Sequence, residues 1–385
     1  MGNRKRIMFV FGTRPEAIKM APVIAEMQRL ADLLEPIVVV TGQHREMLDQ
    51  VLSIFNIKPD YDLGIMRPSQ TLTDIVTRSL QGLGEILLKE KPDMLLVQGD
   101  TSTTFAAALA AFYQKISVGH IEAGLRTFDK WQPYPEEVNR KLTTALADLH
   151  FAPTQASVAN LLADGISRKQ VYLTGNSVID ALLNVVQRPF DLKSLGITPE
   201  PGKRLVLVTA HRRENFGGPI KDICAAVKTL TQKFEGKIQL VIPVHRNPKV
   251  RGPIEASLQA LPAVKLIEPL DYEPFVHLMK AAYLILTDSG GVQEEAPSLG
   301  KPVLVLREKT ERPEAVAFGT VKLVGTDREK IVRESERLLC DQEAYAAMSR
   351  SVNPYGDGKA AERIVSAILY YFGFGDSRPE EFQIR

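Results

Sequence analysis

Three carboxylic acids follow predicted strands in the first half of the chain and are candidates for proton transfer. Asp100 stands in QGDTSTT, Glu122 in GHIEAGLR and Glu136 in PEEVNR. Carboxylates gathered in a cleft with cations nearby exchange protons with a ligand, and their crowding raises the pKa of at least one of them. Two plainer interpretations compete with this one: Asp100 as the N-cap of the helix that follows it, and all three as solvated loop acids.

Cations and histidines at other strand ends predict an anion site. In the first half, the turn 12–16 (GTRPE) places Arg14 and a proline at the start of a helix that carries Lys19 one turn later. In the second half, His211 stands in AHRREN and His245 in PVHRNP. A helix N-terminus with cations suits phosphate, and a histidine beside arginine suits phosphate binding or acid/base work. The alternatives are a tight turn with solvated charges and structural histidines.

The segment TDSGGVQEEA predicts a nucleotide diphosphate site. Ser289, Gly290 and Gly291 expose backbone N–H groups at a helix start, which would seat a pyrophosphate. Glu295, one turn later, would accept hydrogen bonds from ribose hydroxyls, and Arg312 adds a cation downstream. The alternative is a glycine-rich helix start with an exposed acid.

These residues are positioned by short Val-, Ile- and Leu-rich runs that alternate with helical patterns. Such alternation predicts parallel sheets built from βαβ units, with ligands beyond the carboxyl ends of the strands. We predict strands near 6–11, 36–41, 94–97, 116–121, 149–152 and 170–173, and a second series near 204–209, 237–242, 264–267, 283–287, 302–306 and 321–324.

The best domain boundary is the segment from Arg188 to Lys203, where prolines, glycines and mixed charges break both periods. We therefore expect two Rossmann-like doubly wound domains that face a cleft. Residues 1–188 form the first, with the acid/base groups, and 189–385 the second, which binds the ligand's nucleotide. The last helix, about 360–373, has an apolar face and is expected to pack back on the first domain.

Composition excludes several classes of protein. The 385 residues suit two or three domains, and a net charge of +2 argues against a surface that tracks nucleic acid. The longest stretch without a charged residue, 149–163, is too short and polar for a membrane span, and the apolar run after MGNRKR is too short for a signal peptide. We expect a cytoplasmic protein whose two cysteines, Cys224 and Cys340, are buried and reduced.

The common cofactor motifs are missing from the sequence. No G-x-G-x-x-G follows a strand, and the chain has no Walker A loop, H-E-x-x-H, C-x-x-C or G-x-S-x-G. Nicotinamide, flavin, ATP and zinc chemistry are therefore unsupported, and we expect neither a cofactor nor a metal.

The motifs taken together resemble the bacterial non-hydrolysing UDP-N-acetylglucosamine 2-epimerases. GTRPEAIK, QGDTSTT, GHIEAGLR, PEEVNR, AHRRENFG, PVHRNP, TDSGGVQEEAPSLGKPVL and ERPEA occur in this order over residues 7 to about 365. The resemblance implies a glycosyltransferase-B-like fold, a homodimer and interconversion of UDP-N-acetylglucosamine with UDP-N-acetylmannosamine for surface polysaccharide synthesis. In the family, UDP is eliminated to leave 2-acetamidoglucal and then adds back.

The resemblance also implies residue roles. The residues implied to hold the departing pyrophosphate are Arg14, Lys19, His211, Ser289, Gly290, Gly291 and Arg312. Acid/base work falls to Asp100, Glu122 and Glu136, with His211 helping the leaving group, and which acid takes the proton stays open. Leu270 joins the substrate-binding set, Phe275 is similar to the residue that meets uracil, and Glu295 to the one on the ribose.

A second, activating substrate site is also implied. Gln43, His44, Arg212 and His245 resemble its residues, but some relatives have glutamine where this chain has Glu46, and arginine where it has Ser69.

Other functions share much of this pattern. A UDP-sugar glycosyltransferase of the same architecture would use the same UDP groups, a nucleotide-sugar sensor needs binding alone, and a hydrolysing epimerase would release the free sugar. Relatives that act on diacetamido sugars are similar as well.

Overall fold

A computed structural model describes residues 4–42 and 45–384, without the side chains of residues 45 and 46. The strands are β1 Lys5–Phe11, β2 Leu34–Val40, β3 Tyr61–Asp62, β4 Met94–Gln98, β5 Ser117–Ile121, β6 Leu149–Ala152, β7 Val171–Leu173, β8 Arg204–Thr209, β9 Ile238–Pro243, β10 Val264–Ile267, β11 Leu284–Thr287, β12 Val303–Val305 and β13 Val321–Leu323.

The helices are α1 Arg14–Arg29, α2 Arg45–Ile54, α3 Leu72–Glu90, α4 Ser102–Tyr113, α5 Glu136–Leu146, α6 Gln155–Ala163, α7 Ser177–Val185, α8 Gly218–Lys233, α9 Pro248–Leu258, α10 Tyr272–Ala281, α11 Gly290–Glu295, α12 Pro313–Ala317, α13 Arg328–Cys340, α14 Gln342–Ser349 and α15 Ala360–Tyr371. Within residues 4–42 and 45–384, no helix is both long enough and apolar enough to cross a membrane.

The chain divides into two compact units, each built on one parallel sheet. The first runs as far as Ala181 and includes Tyr355–Gln383, with strand order β3-β2-β1-β4-β5-β6-β7. The second is formed mainly by Leu182–Pro354, with strand order β10-β9-β8-β11-β12-β13. The segment from Arg188 to Lys203 lies within this second unit, which begins at Leu182. All the paired strands run parallel, so both sheets are of the doubly wound kind that the sequence predicts, and the fold class is confirmed.

The predicted strands all occur, with bounds that differ by at most two residues from those expected. Their apolar runs are buried because helices cover both faces of a parallel sheet; every residue of β4, for example, is buried. The sequence analysis missed β3, a two-residue strand that pairs only with Val39 and Val40 at the edge of its sheet.

Each sheet has a topological switch point, where the chain reverses the direction in which it adds strands. In the first unit it lies between β1 and β4, and in the second between β8 and β11. Ligands of open α/β sheets bind outside the carboxyl ends of strands at such points. The segments that directly follow these four strands contain four of the predicted site residues: Arg14, Asp100, His211 and Ser289.

Helix α15 belongs to the first unit, although it comes from the end of the chain. The Asp180 carboxylate anchors its N-terminus by accepting backbone N–H groups of Ala360 at 3.2 Å and Ala361 at 2.8 Å. A carboxylate there satisfies orphan donors and is stabilised by the helix dipole.

One prediction about the cysteines is wrong. Both are free thiols and Cys224 is buried, but Cys340 is exposed. Cys340 is the last residue of α13, and the apolar side chains that this end of the helix buries are Leu338 and Leu339. A helical pattern predicts which face is buried, but it is least reliable at a helix end.

Candidate active site

Asp100 is held by a cation rather than by the helix that follows it. The N-cap of α4 is Thr101, whose hydroxyl accepts the backbone N–H of Thr104 at 3.1 Å. The interpretation of Asp100 as the cap is therefore wrong. Its carboxylate instead accepts a hydrogen bond from Arg140 Nε at 3.0 Å and forms an ion pair with Arg140 Nη2 at 2.7 Å, while Asn139 donates to its carbonyl oxygen at 2.9 Å.

Glu122 is nearly buried and accepts hydrogen bonds from three side chains. Lys19 Nζ lies 2.5 Å from Oε1, Gln98 Nε2 donates to Oε2 at 2.5 Å, and Asn176 Nδ2 donates to Oε1 at 2.9 Å. Its backbone has φ +65°, a left-handed conformation that costs a non-glycine residue about 1 kcal/mol. Strain of this kind persists where the surroundings fix a side chain in a working position. Lys19, which the sequence analysis predicts on phosphate, forms an ion pair with this acid.

Glu136 differs from the other two acids in its surroundings. It is the first residue of α5, and one of its carboxylate oxygens is enclosed with no hydrogen-bond partner among the described residues. Burial, the largest effect, and the charge of Asp100 raise the pKa of Glu136, while its own backbone N–H and Arg140 lower it. The net direction is upward, as suits a carboxyl that takes up and releases a proton.

The neighbouring acid Glu137 has a structural role. It is buried and accepts the backbone N–H groups of Thr127 at 3.0 Å and Phe128 at 3.1 Å, besides one from Arg140 at 3.1 Å. It therefore anchors the loop before α5 and the arginine that holds Asp100.

Glu16 connects the two turns at the first switch point, a role the sequence analysis missed. Its buried carboxylate accepts the backbone N–H groups of Gly12 at 3.1 Å and Thr13 at 2.8 Å with one oxygen, and the Thr101 hydroxyl at 2.8 Å with the other. Burial raises the pKa of Glu16, and these hydrogen bonds oppose the rise. Arg14, next to this turn, is half-buried and makes no ion pair within the part of the chain that the structure describes.

His120 stabilises the turn that carries Asp100 by contacting the backbone of the preceding residue, Gly99. Its Nε2 lies 2.7 Å from the carbonyl oxygen of Gly99, whose φ of +73° favours glycine. The ring is wholly buried, and this desolvation lowers its pKa to about 4. His120 is therefore neutral at physiological pH and donates from Nε2, because the carbonyl can only accept.

In the second unit, Asp288 organises the turn that carries His211. This wholly buried carboxylate accepts the backbone N–H groups of His211 and Arg212, both at 2.8 Å, and the side-chain amide of Asn215 at 2.9 Å. The ring of His211 stacks on His245 with centroids 5.9 Å apart. The sequence analysis quoted Asp288 within TDSGG without assigning it a role, because its partners lie more than seventy residues earlier.

The turn after β11 places the predicted nucleotide-binding residues together. Ser289 is the N-cap of α11, and its own N–H donates to the Thr287 hydroxyl at 3.0 Å. A side-chain carbon at Gly290 would lie 3.5 Å from Arg212 Nη2, so this arginine lies against the start of α11. Glu295 is largely buried and accepts the Tyr272 hydroxyl at 2.9 Å.

The remaining predicted site residues are less involved in described contacts. Arg312 donates to the buried carboxylate of Glu294. Leu270 and Phe275 are half-buried near the start of α10, and Gly291 is exposed. Gln43, His44 and the side chain of Glu46 lie outside the described residues, while Ser69 is exposed. Across the described part of the chain, no cluster of His, Cys, Asp and Glu side chains is arranged to hold a metal ion.

Comparison with known proteins places the chain in a family. The family model described as UDP-N-acetylglucosamine 2-epimerase matches residues 26–369, and the chain belongs to this family of isomerases. The UDP-N-acetylglucosamine 2-epimerase of Escherichia coli strain K12 is 54% identical over 370 residues, which are 94% of this chain and 98% of that protein. The resemblance seen in the sequence is confirmed.

Two solved structures agree with this assignment. The UDP-GlcNAc 2-epimerase of Neisseria meningitidis bound to UDP-GlcNAc is 52% identical, with a TM-score of 0.84 over 95% of this chain and 100% of that one. The co-structure of S. aureus MnaA with UDP is 50% identical, with a TM-score of 0.87 over 98% of this chain and 100% of that one.

Proposed function

We propose that the protein interconverts UDP-N-acetylglucosamine and UDP-N-acetylmannosamine without a cofactor and without hydrolysis. A base removes the hydrogen on C2 while the bond from C1 to the UDP oxygen breaks, which leaves 2-acetamidoglucal and UDP. The UDP oxygen then adds back to C1, and C2 receives a proton on the opposite face. Family membership and the relatives crystallised with UDP-GlcNAc and UDP support this substrate.

The observation that carries the proposal is the trio of Asp100, Glu122 and Glu136 around the ends of β4 and β5. Two of them are ion-paired, with Arg140 and Lys19, and suit roles as fixed negative charges or proton acceptors. Glu136 has a raised pKa and an enclosed oxygen without a partner among the described residues. An epimerase needs groups that exchange a proton with each face of C2, and these different surroundings supply them.

The departing pyrophosphate needs cations and N–H donors. We assign that role to Arg14, Lys19, His211, Ser289, Gly290, Gly291 and Arg312. We place the uracil against Leu270 and Phe275, and the ribose against Glu295. On this view residues 1–188 supply the acid/base groups and residues 189–385 bind the UDP. A second site, for activating substrate, is formed by Gln43, His44, Arg212 and His245.

The cellular setting is part of the same proposal. We place the enzyme in the cytoplasm as a homodimer whose product supplies surface polysaccharide synthesis. The family resemblance supports these assignments.

The test is an assay of purified protein on UDP-N-acetylglucosamine, with products separated as UDP sugars and free sugars. We expect the manno epimer, and at least about a hundredfold less of it per unit time from Asp100→Asn, Glu122→Gln and Glu136→Gln. Glu85→Gln, an exposed acid of α3, is the matched control and should keep the wild-type rate. Near-normal rates in all three variants would contradict the assignment. Free N-acetylmannosamine with UDP would indicate a hydrolysing enzyme, and transfer to an added acceptor a glycosyltransferase.

A further inference from the structure

Asp288 has one carboxylate oxygen that is used fully and one that is not. Oδ2 accepts the N–H groups of His211, Arg212 and Asn215. Oδ1 is enclosed, yet no described residue donates a hydrogen bond to it. The nearest cationic or ring nitrogen is Nδ1 of His211, at 3.2 Å.

A buried carboxylate oxygen without a hydrogen-bond donor raises the free energy of the folded state. A nearby donor that rotates toward the oxygen therefore lowers this free energy. The distance of 3.2 Å between His211 Nδ1 and Asp288 Oδ1 already suits a hydrogen bond, and only the orientation of the imidazole ring does not. A turn of the ring about its own bond to the chain supplies the missing contact. Such alignment commonly tightens when a ligand binds.

We propose that Asp288 is the positioning residue of His211 and fixes the tautomer of its imidazole. A carboxylate only accepts hydrogen bonds, so the proton of the neutral ring is held on Nδ1 and the lone pair on Nε2. When the ring takes a second proton, Nε2–H becomes the donor to the leaving UDP, and the carboxylate of Asp288 stabilises the cation. This inference rests on the proposed function, in which His211 acts on the pyrophosphate.

The substitution Asp288→Asn separates this role from the structural one. The oxygen of the new amide can still accept the three N–H groups that hold the turn, so the turn is retained. The amide NH2 then faces Nδ1, which must accept, and the proton of the neutral ring moves to Nε2. Asn215→Ala is the matched control, because it removes one hydrogen bond to Asp288 without touching the imidazole.

The primary readout is nitrogen-15 NMR of the histidine side chains in the full chain. The sequence has six histidines, and loss of one set of signals in His211→Gln assigns the ring. We expect the Nδ1–H tautomer in wild type and in Asn215→Ala, and the Nε2–H tautomer in Asp288→Asn. An Nε2–H tautomer in wild type overturns the proposal even when Asp288→Asn does not fold.

The second readout is the split between kcat and KM with UDP-N-acetylglucosamine. We expect Asp288→Asn to lower kcat at least about a hundredfold with little change in KM. Near-wild-type kcat in this variant, or an equal loss of kcat in Asn215→Ala, would overturn the positioning role. If wild type forms no epimer, the proposed function fails, whereas the tautomer measurement still decides the pairing of Asp288 with His211.

Discussion

Acid should destabilise the first unit through His120. Burial lowers the pKa of this ring from its usual 6.5 to about 4, because the charged form would lose its hydration. As the pH falls below 6.5, His120 binds a proton in the unfolded chain, whereas in the folded chain it stays neutral down to about pH 4. The contribution of His120 to the free energy of unfolding is therefore fully present above pH 6.5 and is lost as the pH falls to about 4. At about 1.4 kcal/mol per pH unit the full loss is about 3.5 kcal/mol, of which about 2.5 kcal/mol is reached by pH 4.5.

The variant His120→Gln isolates this contribution, because its side-chain amide can donate to the Gly99 carbonyl oxygen but takes up no proton. The charged or titratable neighbours of the ring, Glu122, Arg126, Arg140 and His150, are the same in both proteins. Fluorescence of the single tryptophan, Trp131, reports urea unfolding of this unit. We expect the stability advantage of wild type to shrink by about 2.5 kcal/mol between pH 7.5 and pH 4.5. An advantage that stays constant over this range would refute the reasoning.

Three further predictions concern packing and charge. Lys19→Met leaves Glu122 largely buried without its cation and should cost about 3 kcal/mol in urea unfolding, whereas adding Glu122→Gln should recover part of that cost; equal and additive losses would contradict the pairing. Gly124→Ala should cost about 3 kcal/mol, since its φ is +90° and the new carbon would lie 2.3 Å from a carbonyl oxygen of α6; an unchanged unfolding midpoint would contradict that clash. In native protein a thiol reagent should label the exposed Cys340 rapidly, but it should label the buried Cys224 only on unfolding, because burial also raises the pKa of that thiol to about 11. Rapid labelling of both thiols in native protein would contradict the burial of Cys224.

The strands and the position of the candidate acids could be predicted from the sequence because both depend on local signals. A run such as MLLVQ at β4 is buried on both faces, and a polar residue placed directly after it must lie at the carboxyl edge of the sheet. Position in the chain was therefore enough to single out Asp100, and likewise Glu122 after β5.

What holds those residues could not be predicted, because the partners come from distant parts of the chain. Arg140 meets Asp100 across forty residues, and Asp288 meets His211 across seventy-seven. The segment DTST contains two adjacent residues that favour the N-cap, so only the structure shows that Thr101 takes it. Spacing in the sequence cannot decide between Asp100 and Thr101 as the N-cap, because what distinguishes them is the tertiary contact of Asp100 with Arg140.

The central claim is epimerisation at C2 through proton exchange with solvent, and proton NMR in heavy water tests it most directly. Purified protein is incubated with UDP-N-acetylglucosamine while the anomeric signals and the C2 hydrogen are followed. We predict the manno epimer with deuterium at C2 and no accumulation of free sugar. An epimer that keeps its original hydrogen at C2 would contradict the account, and so would a substrate that stays unchanged while other UDP sugars react.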